Sequence, residues 1–385
     1  MNRISRWMIV LINMLVVALA GYTAFAAEPE KQTITGNQTV VRVAANLPFT
    51  GALATYGKEI QNGAIMALED LKKADEGGHV IEVDWQDNAG SPQTAVTVMQ
   101  KQFLNPPDIC VTGIKPQFMA VGPQISAKGT PNFAWIFDMF INKDTNNNFR
   151  TLVSYKIEAK LLLDYAASRK VKRVAILYAQ LPHAHEEFQV AVVPGLKEQG
   201  LKDSDIMLEP FDFEKKEFKD IALKVRKFKP NLIILSGFDM HMIGLVRAMR
   251  PLSIIGKGNT IGTYDLLKTG KVLGKDELEG ILVVTPQFIT RPNQKKFAEW
   301  LASYNNRFEL PSLYFAPCAY DMIMAINDAA RRLKLPATSD QWIAALRATD
   351  LTGVTGPLKF DKDGDLEIPC EIGVFRDGNP VPRSR

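Results

Sequence analysis

Two stretches of this chain follow the same plan. Lys229-Pro230-Asn231-Leu232-Ile233-Ile234-Leu235-Ser236-Gly237 mirrors Asn105-Pro106-Pro107-Asp108-Ile109-Cys110-Val111-Thr112-Gly113. Each is a proline-marked entry into an apolar run that stops at glycine, and each is followed by a helical pattern. A short apolar run bounded in this way reads as a strand covered on both faces, because a half-exposed strand would alternate and a helix would run longer.

The rest of the chain repeats this pattern. Val41 to Ala45 reads as a buried strand, followed by a loop from Asn46 to Thr55 and a helix in which Ile60, Ala64, Ala67, Leu68 and Leu71 recur at helical spacing. Val80 to Trp85 is the next strand. Ser91-Pro92 supplies an N-cap with proline at the first helical position, opening a helix that buries Ala95, Val98, Met99 and Phe103. Gln117 to Ala127 reads as a third helix and Asn132 to Ile136 as a fourth strand. The pattern restarts at Arg173 to Tyr178 and runs on through a helix near Glu186 to Gln199, the strand Ile206 to Phe211 and the helix Glu217 to Phe228. Strands alternating with helices imply a parallel sheet with helices on both faces. Two rounds of that alternation, offset by about 125–135 residues, imply an α/β chain of two similar doubly wound lobes. The polar stretch Asn142 to Asn148 is the candidate crossover between them.

Arg3 and Arg6 precede an uncharged stretch from Trp7 to Ala27 containing Ala24-Phe25-Ala26, the pattern of a secretory signal peptide over residues 1–26. About twenty uncharged residues also suffice to span a bilayer, so an uncleaved anchor stays open. A hydrophobic fraction of 46% with 23% charged residues describes a soluble globular protein. The net charge of +4 is spread over mixed runs such as Glu214 to Asp220, so no nucleic-acid partner is expected. Three cysteines allow at most one internal disulfide, with Cys318 and Cys370 as the candidate pair and Cys110 as a buried thiol.

Ligands of open α/β sheets bind beyond the carboxyl ends of the strands. None of those loops carries a G-x-G-x-x-G, a P-loop or a G-x-S-x-G, which argues against a dehydrogenase, a nucleotide hydrolase or a serine hydrolase. His183-Ala184-His185 is a weak metal signal and reads as surface or pocket lining. Asp361-Lys362-Asp363-Gly364-Asp365 lacks the later ligands of a calcium loop and reads as a hairpin turn.

Several segments carry a resemblance through their collinear order. They are Val41 to Leu71, with Phe49-Thr50-Gly51, Tyr56-Gly57, Asn62-Gly63-Ala64 and Ala67; Asp87 with Ser91-Pro92 and Ala95; Arg173 to Tyr178; Phe238 to Arg247; Tyr320-Asp321; and Thr355 to Asp365. Together they resemble the periplasmic solute-binding proteins of the leucine/isoleucine/valine-binding type, which serve ABC importers. The resemblance implies the type I periplasmic binding protein fold, two α/β lobes joined by three crossovers and closing on a small ligand. Lobe one would take residues 40–153 and 286–355, and lobe two residues 154–285 and 356–385. It also implies a monomer that captures a small molecule (amino acid-like, an amide, or an aromatic or apolar carboxylate) for a membrane permease, with neither catalysis nor cofactor. The alternative is a ligand-sensing receptor of the same fold that signals to a membrane partner.

Placed by the resemblance, the ligand-contacting positions are Tyr56, Pro116, Gln117, Trp135, Ile136 and Asp138 in lobe one and His183, Phe238, Tyr264 and Asp265 in lobe two. Amino-acid-binding members hold the ligand's carboxylate and ammonium with small hydroxyl residues after the third and fourth strands and an acid from lobe two. Here Pro116, Gln117 and Ile136 beside Trp135 stand at the hydroxyl positions, and Gly90 and Pro116 replace the family's lobe-one cysteine pair. The expected pocket is apolar and aromatic.

Overall fold

In a computed structural model, residues 39–74, 78–142, 145–256, 258–291, 295–309 and 314–383 are described, and the candidate leader lies outside them. The first sheet is parallel, in the order β2-β1-β3-β4-β5. Its strands are β1 (Thr39–Leu47), β2 (His79–Asp87), β3 (Ile109–Gly113), β4 (Asn132–Trp135) and β5 (Asn148–Phe149). The second sheet runs β7-β6-β8-β9-β10 in parallel, from β6 (Val174–Ala179), β7 (Ile206–Phe211), β8 (Leu232–Ser236), β9 (Thr260–Gly262) and β10 (Leu282–Pro286). Beyond β10 it adds β13 (Cys370–Arg376) and β14 (Asn379–Pro382), both antiparallel to their neighbours. The two proline-marked segments become β3 and β8, each beside the opening strand of its own sheet. The echo in the sequence is thus an echo in topology.

Local chemistry sets the helices. Helix α1 (Ala54–Ala74) buries Ile60, Ala64 and Ala67 on the face that the spacing predicts. In α2 (Pro92–Gln102) the Ser91 hydroxyl accepts the Thr94 N–H at 3.2 Å, and proline follows at N1. Its Ala95 and Met99 pack with Cys110 of β3 and with Val121 and Ile125 of α3 (Lys115–Ala127). In the second lobe α4 (Tyr155–Ser168) precedes β6. A helix then runs from α5 (Pro182–His185) through a π-helical stretch, Glu186–Val192, into α6 (Val193–Glu198). Next come α7 (Lys219–Phe228), α8 (Asp239–Met249), the 3₁₀ turns Tyr264–Lys271 and α9 (Lys275–Leu278).

The chain then returns to lobe one, where α11 (Lys295–Arg307), α12 (Phe315–Arg332) and α13 (Ser339–Arg347) follow the short α10 (Gln287–Thr290). Helix α12 lies against α1 so closely that a Cβ on Gly63 would run into the Ala316 carbonyl. Glycine there permits the contact. Buried Asp321 of α12 accepts the N–H groups of Val354 and Thr355, each at 2.8 Å, and the Thr355 hydroxyl at 2.5 Å, fixing the loop after β11 (Leu351–Thr352). Cys110, Cys318 and Cys370 are all free thiols, so the candidate Cys318–Cys370 bond is not made here.

The crossovers differ from their sequence positions. Asn142 to Asn148 does not cross, because Asn148 begins β5 and the Asn142 amide caps the Asn148 carbonyl at 2.7 Å. The chain crosses next, between Arg150 and α4. The second crossing lies past Thr290 rather than at Pro286, because β10 stays paired to β13 and α10 continues on that sheet. The third lies past Asp365 rather than at Gly356. Pro357–Leu358 (β12) pairs back onto β11, Phe360 bridges Leu366 across the Gly364 turn, and Asp365 pairs with Arg150 beside β5. The Asp361–Asp365 segment is therefore a hairpin turn.

Arg150 holds this junction. It is fully buried; its Nε meets Asp365 Oδ1 at 2.8 Å, and its Nη1 donates to the carbonyls of Ile136 at 2.9 Å and Asp138 at 2.6 Å. Arg150→Met strands a buried carboxylate and two carbonyls, so urea unfolding is expected to show a loss of about 3–5 kcal/mol. Lys160→Ala, which breaks only the exposed pair with Asp164, is expected to stay within about 0.5 kcal/mol.

Candidate ligand-binding cleft

The carboxyl ends of both sheets face each other, and the residues just beyond them line a shared cleft. From lobe one come Tyr56 at the start of α1, Ile114 and Lys115 after β3, Trp135 to Asp138 at and past the end of β4, and Phe315 at the start of α12. From lobe two come Tyr155, Ala179, Leu181 and Ala184, then Ser236 to Phe238 after β8 and Asp265 after β9. The cleft is shut. Only about 40 Å³ remains between the walls, space for about one water. A wider open groove of about 940 Å³ lies before β9 and β10, lined by Arg169, Arg250 and Arg376, away from the strand ends where ligands of such sheets bind.

Aromatic rings close the cleft. Tyr56 meets Phe238 of lobe two edge-on at 6.1 Å, Phe137 stacks on Tyr155 at 5.3 Å, and Tyr314 stacks on Tyr264 at 5.7 Å, so three ring pairs join the lobes. Within lobe one, Phe315 stacks on Trp135 and takes Tyr56 edge-on at 5.3 Å. Trp135 at the end of β4 and Phe137 just past it both reach the cleft.

The charged side chains at the cleft are few. Lys115 pairs with Asp138 and lies 3.8 Å from Glu186 of the other lobe. Asp138 Oδ2 is buried without a hydrogen-bond partner among the described residues. Opposite, the Lys268 ammonium sits over the Tyr56 ring at 3.8 Å and over Phe315 at 4.3 Å. Burial pushes the Asp265 carboxyl up to about 6, with Lys268 pulling it down and Asp239 pushing it further up. Behind the lobe-two wall, Glu158 and Glu187 are both fully buried, and Glu158 Oε2 accepts the Tyr264 N–H at 3.2 Å. Burial pushes Glu158 up to about 8, and burial together with the neighbouring Glu158 charge holds Glu187 well above the usual carboxylate range. Two such buried carboxyls do not both ionise at neutral pH.

Of the positions expected from sequence, Tyr56, Trp135, Ile136, Asp138, Phe238 and Asp265 meet in the cleft. Pro116 does not: it is exposed on the outer side of the first turn of α3. Gln117 is buried and does not line the cleft: its amide NH2 donates to the Gly90 carbonyl, tying α3 to the loop before α2, while its Oε1 has no hydrogen-bond partner among the described residues. Tyr264 lies one layer behind, stacked on Tyr314 with its hydroxyl 3.8 Å from Cys370 Sγ. His183 falls on α5, with its side chain outside the described residues. Sequence reasoning missed Lys115, Tyr155, Phe315 and Lys268. Lys115 follows β3 almost directly and the strand-end rule reaches it; Phe315 and Lys268 come from distant segments and carry no local signal.

Two α/β sheets with equivalent strand orders, crossing three times and facing a closed cleft, define a type I periplasmic binding protein fold. The sequence pattern of the periplasmic binding protein family matches residues 40–377, and the chain belongs to that family. It is 22% identical over 375 residues, 91% of each chain, to a leucine-, isoleucine-, valine-, threonine- and alanine-binding protein of Pseudomonas aeruginosa. It is 21% identical over 356 residues to the Leu/Ile/Val-binding protein of Escherichia coli K12, covering 87% of this chain and 90% of that one. Among solved structures it resembles a solute-binding protein of an ABC transporter from Rhodopseudomonas palustris BisB5 in complex with 3,4-dihydroxybenzoic acid. That match has a TM-score of 0.77 and 21% identity over 90% of this chain and 96% of the other. A branched-chain amino acid binding protein of Streptococcus pneumoniae in complex with isoleucine matches with a TM-score of 0.72 and 19% identity, covering 89% and 98%.

The buried carboxyl pair gives a pH dependence whose sign is fixed. With folded values above the unfolded value of about 4.3, its contribution is fully present below that pH and is lost as pH rises through about 8. The thermal midpoint of the protein is expected to fall between pH 6 and 9. Glu158→Gln, which keeps an acceptor for the Tyr264 N–H and removes the charge, is expected to flatten that fall.

Proposed function

We propose that this chain is the solute-binding component of an ABC importer, capturing a small molecule with a flat or apolar body and a carboxylate by closure of the two lobes, for delivery to an inner-membrane permease. One observation carries this reading: the facing walls are built largely from aromatic and apolar side chains of both lobes, with few polar side chains among the lining residues. Such a wall rewards burial of a planar body, and closure strengthens each hydrogen bond made inside it. The unpartnered Asp138 Oδ2 offers an acceptor for a ligand O–H or N–H. A relative solved with 3,4-dihydroxybenzoic acid supports the aromatic side of the reading, and the isoleucine complex supports the apolar side. The fold captures and releases its ligand without bond-making, and the relatives are binding proteins.

Calorimetry with benzoate, 3,4-dihydroxybenzoate and leucine tests the reading. Aromatic acids are expected to bind, and Phe238→Ala is expected to weaken them about tenfold through loss of one ring contact and its buried area. Submicromolar binding of leucine that neither Phe238→Ala nor Trp135→Ala disturbs would overturn it.

The leader fits the same role. Residues 1–26 are expected to be removed on export to the periplasm, so that N-terminal sequencing of the soluble monomeric product begins near Ala27. Recovery of the intact leader in the membrane fraction would favour the ligand-sensing receptor instead.

A further inference from the structure

Two aromatic rings of the cleft form a place built for a cation, and the protein's own side chain fills it. The Tyr56 and Phe315 rings stand edge to face, 85° apart, and the Lys268 ammonium lies over both, at 3.8 and 4.3 Å from their centroids. Aromatic faces attract cations at this range, most strongly where water is excluded. Lys268 reaches them from the 3₁₀ turns of lobe two, one helical turn from Asp265, and makes no ion pair among the described residues. Its charge is answered by the two lobe-one rings and by the field of the Asp265 carboxylate, which it pulls down in turn.

We propose that Lys268 serves as the cation of this cleft, so that the ligand is a carboxylate without an ammonium group of its own, and that Lys268 is the residue that sets this choice. The proposal rests on the reading of the cleft as a ligand site and narrows its substrate class. A ligand ammonium held by these rings or by Asp265 would meet Lys268 there, and in a shut cleft the two like charges would lie within a few ångströms of each other. An acid that lacks the ammonium meets no such conflict. Because Lys268 stands on lobe two and its rings on lobe one, the choice is made on closure.

Three matched pairs of probes test it by calorimetry: 3-phenylpropanoate against phenylalanine, phenylacetate against phenylglycine, and 4-methylpentanoate against leucine. The wild-type protein is expected to bind at least one acid at least a hundredfold more tightly than its amino acid partner. Lys268→Met, which keeps the length and apolar stem but removes the charge, is expected to shrink that ratio at least tenfold by admitting the amino acid. Lys268→Arg, which keeps a cation over the rings, is expected to preserve it. An unchanged ratio in Lys268→Met, with the acid still bound, would overturn the role of Lys268 and leave the cleft reading standing. Tighter wild-type binding of the amino acids would overturn the proposed ligand class. Failure of all six probes to bind would overturn this proposal together with the cleft reading.

Discussion

A charge shut inside an apolar cleft has no water to solvate it, so the protein itself has to answer every one. That constraint organises the centre of this molecule. Lys115 is answered by Asp138, Lys268 by two aromatic faces, and Glu158 and Glu187 by holding on to protons, since burial raises both carboxyls. Arg150, the buried charge of the hinge, is answered by Asp365 and by the carbonyls of Ile136 and Asp138. The last of these links matters for the site. The same guanidinium that pins the crossover also fixes the backbone that presents Ile136 and Asp138 to the cleft, so hinge and pocket share one set of hydrogen bonds.

The sheets were legible because their signals are local. A strand covered on both faces must be apolar along its length, and proline and glycine mark where it starts and stops, as in Ile109–Gly113 and Leu232–Ser236. The Ser91-Pro92 cap likewise declares itself within four residues. The crossovers did not follow, because nothing local distinguishes a segment that leaves a sheet from one that turns back onto it. Gly356 looked like a departure, and long-range contacts, the pairing of Asp365 with Arg150 and the Arg347 bond to the Lys362 carbonyl among them, hold the hairpin to the first lobe. The polar run at Asn142 failed for a related reason: its amides face inward to the carbonyls of Asn148 and Asp363 rather than outward to solvent.

The cleft was partly legible. The resemblance placed Tyr56, Trp135, Ile136, Asp138, Phe238 and Asp265, and they meet in the cleft because a parallel sheet sends the residues after each strand to one edge. Side-chain direction decided the rest. Pro116 and Gln117 are adjacent on the first turn of α3, yet one faces solvent and the other the core, and neither reaches the space that Lys115 does. Phe315 and Lys268 were invisible for a different reason. Each becomes a cleft residue only when α12 and the 3₁₀ turns after β9 are brought together from separate lobes.

The repeated crossing of the chain also sets the order in which the molecule can be completed. Helix α1 in lobe one needs α12, which begins some 240 residues further along, and β10 in lobe two finds its antiparallel partner only in β13. Neither core closes until the final strands exist, although domains made from one contiguous stretch fold as they emerge. A nascent chain of this design stays unlocked until synthesis is nearly over.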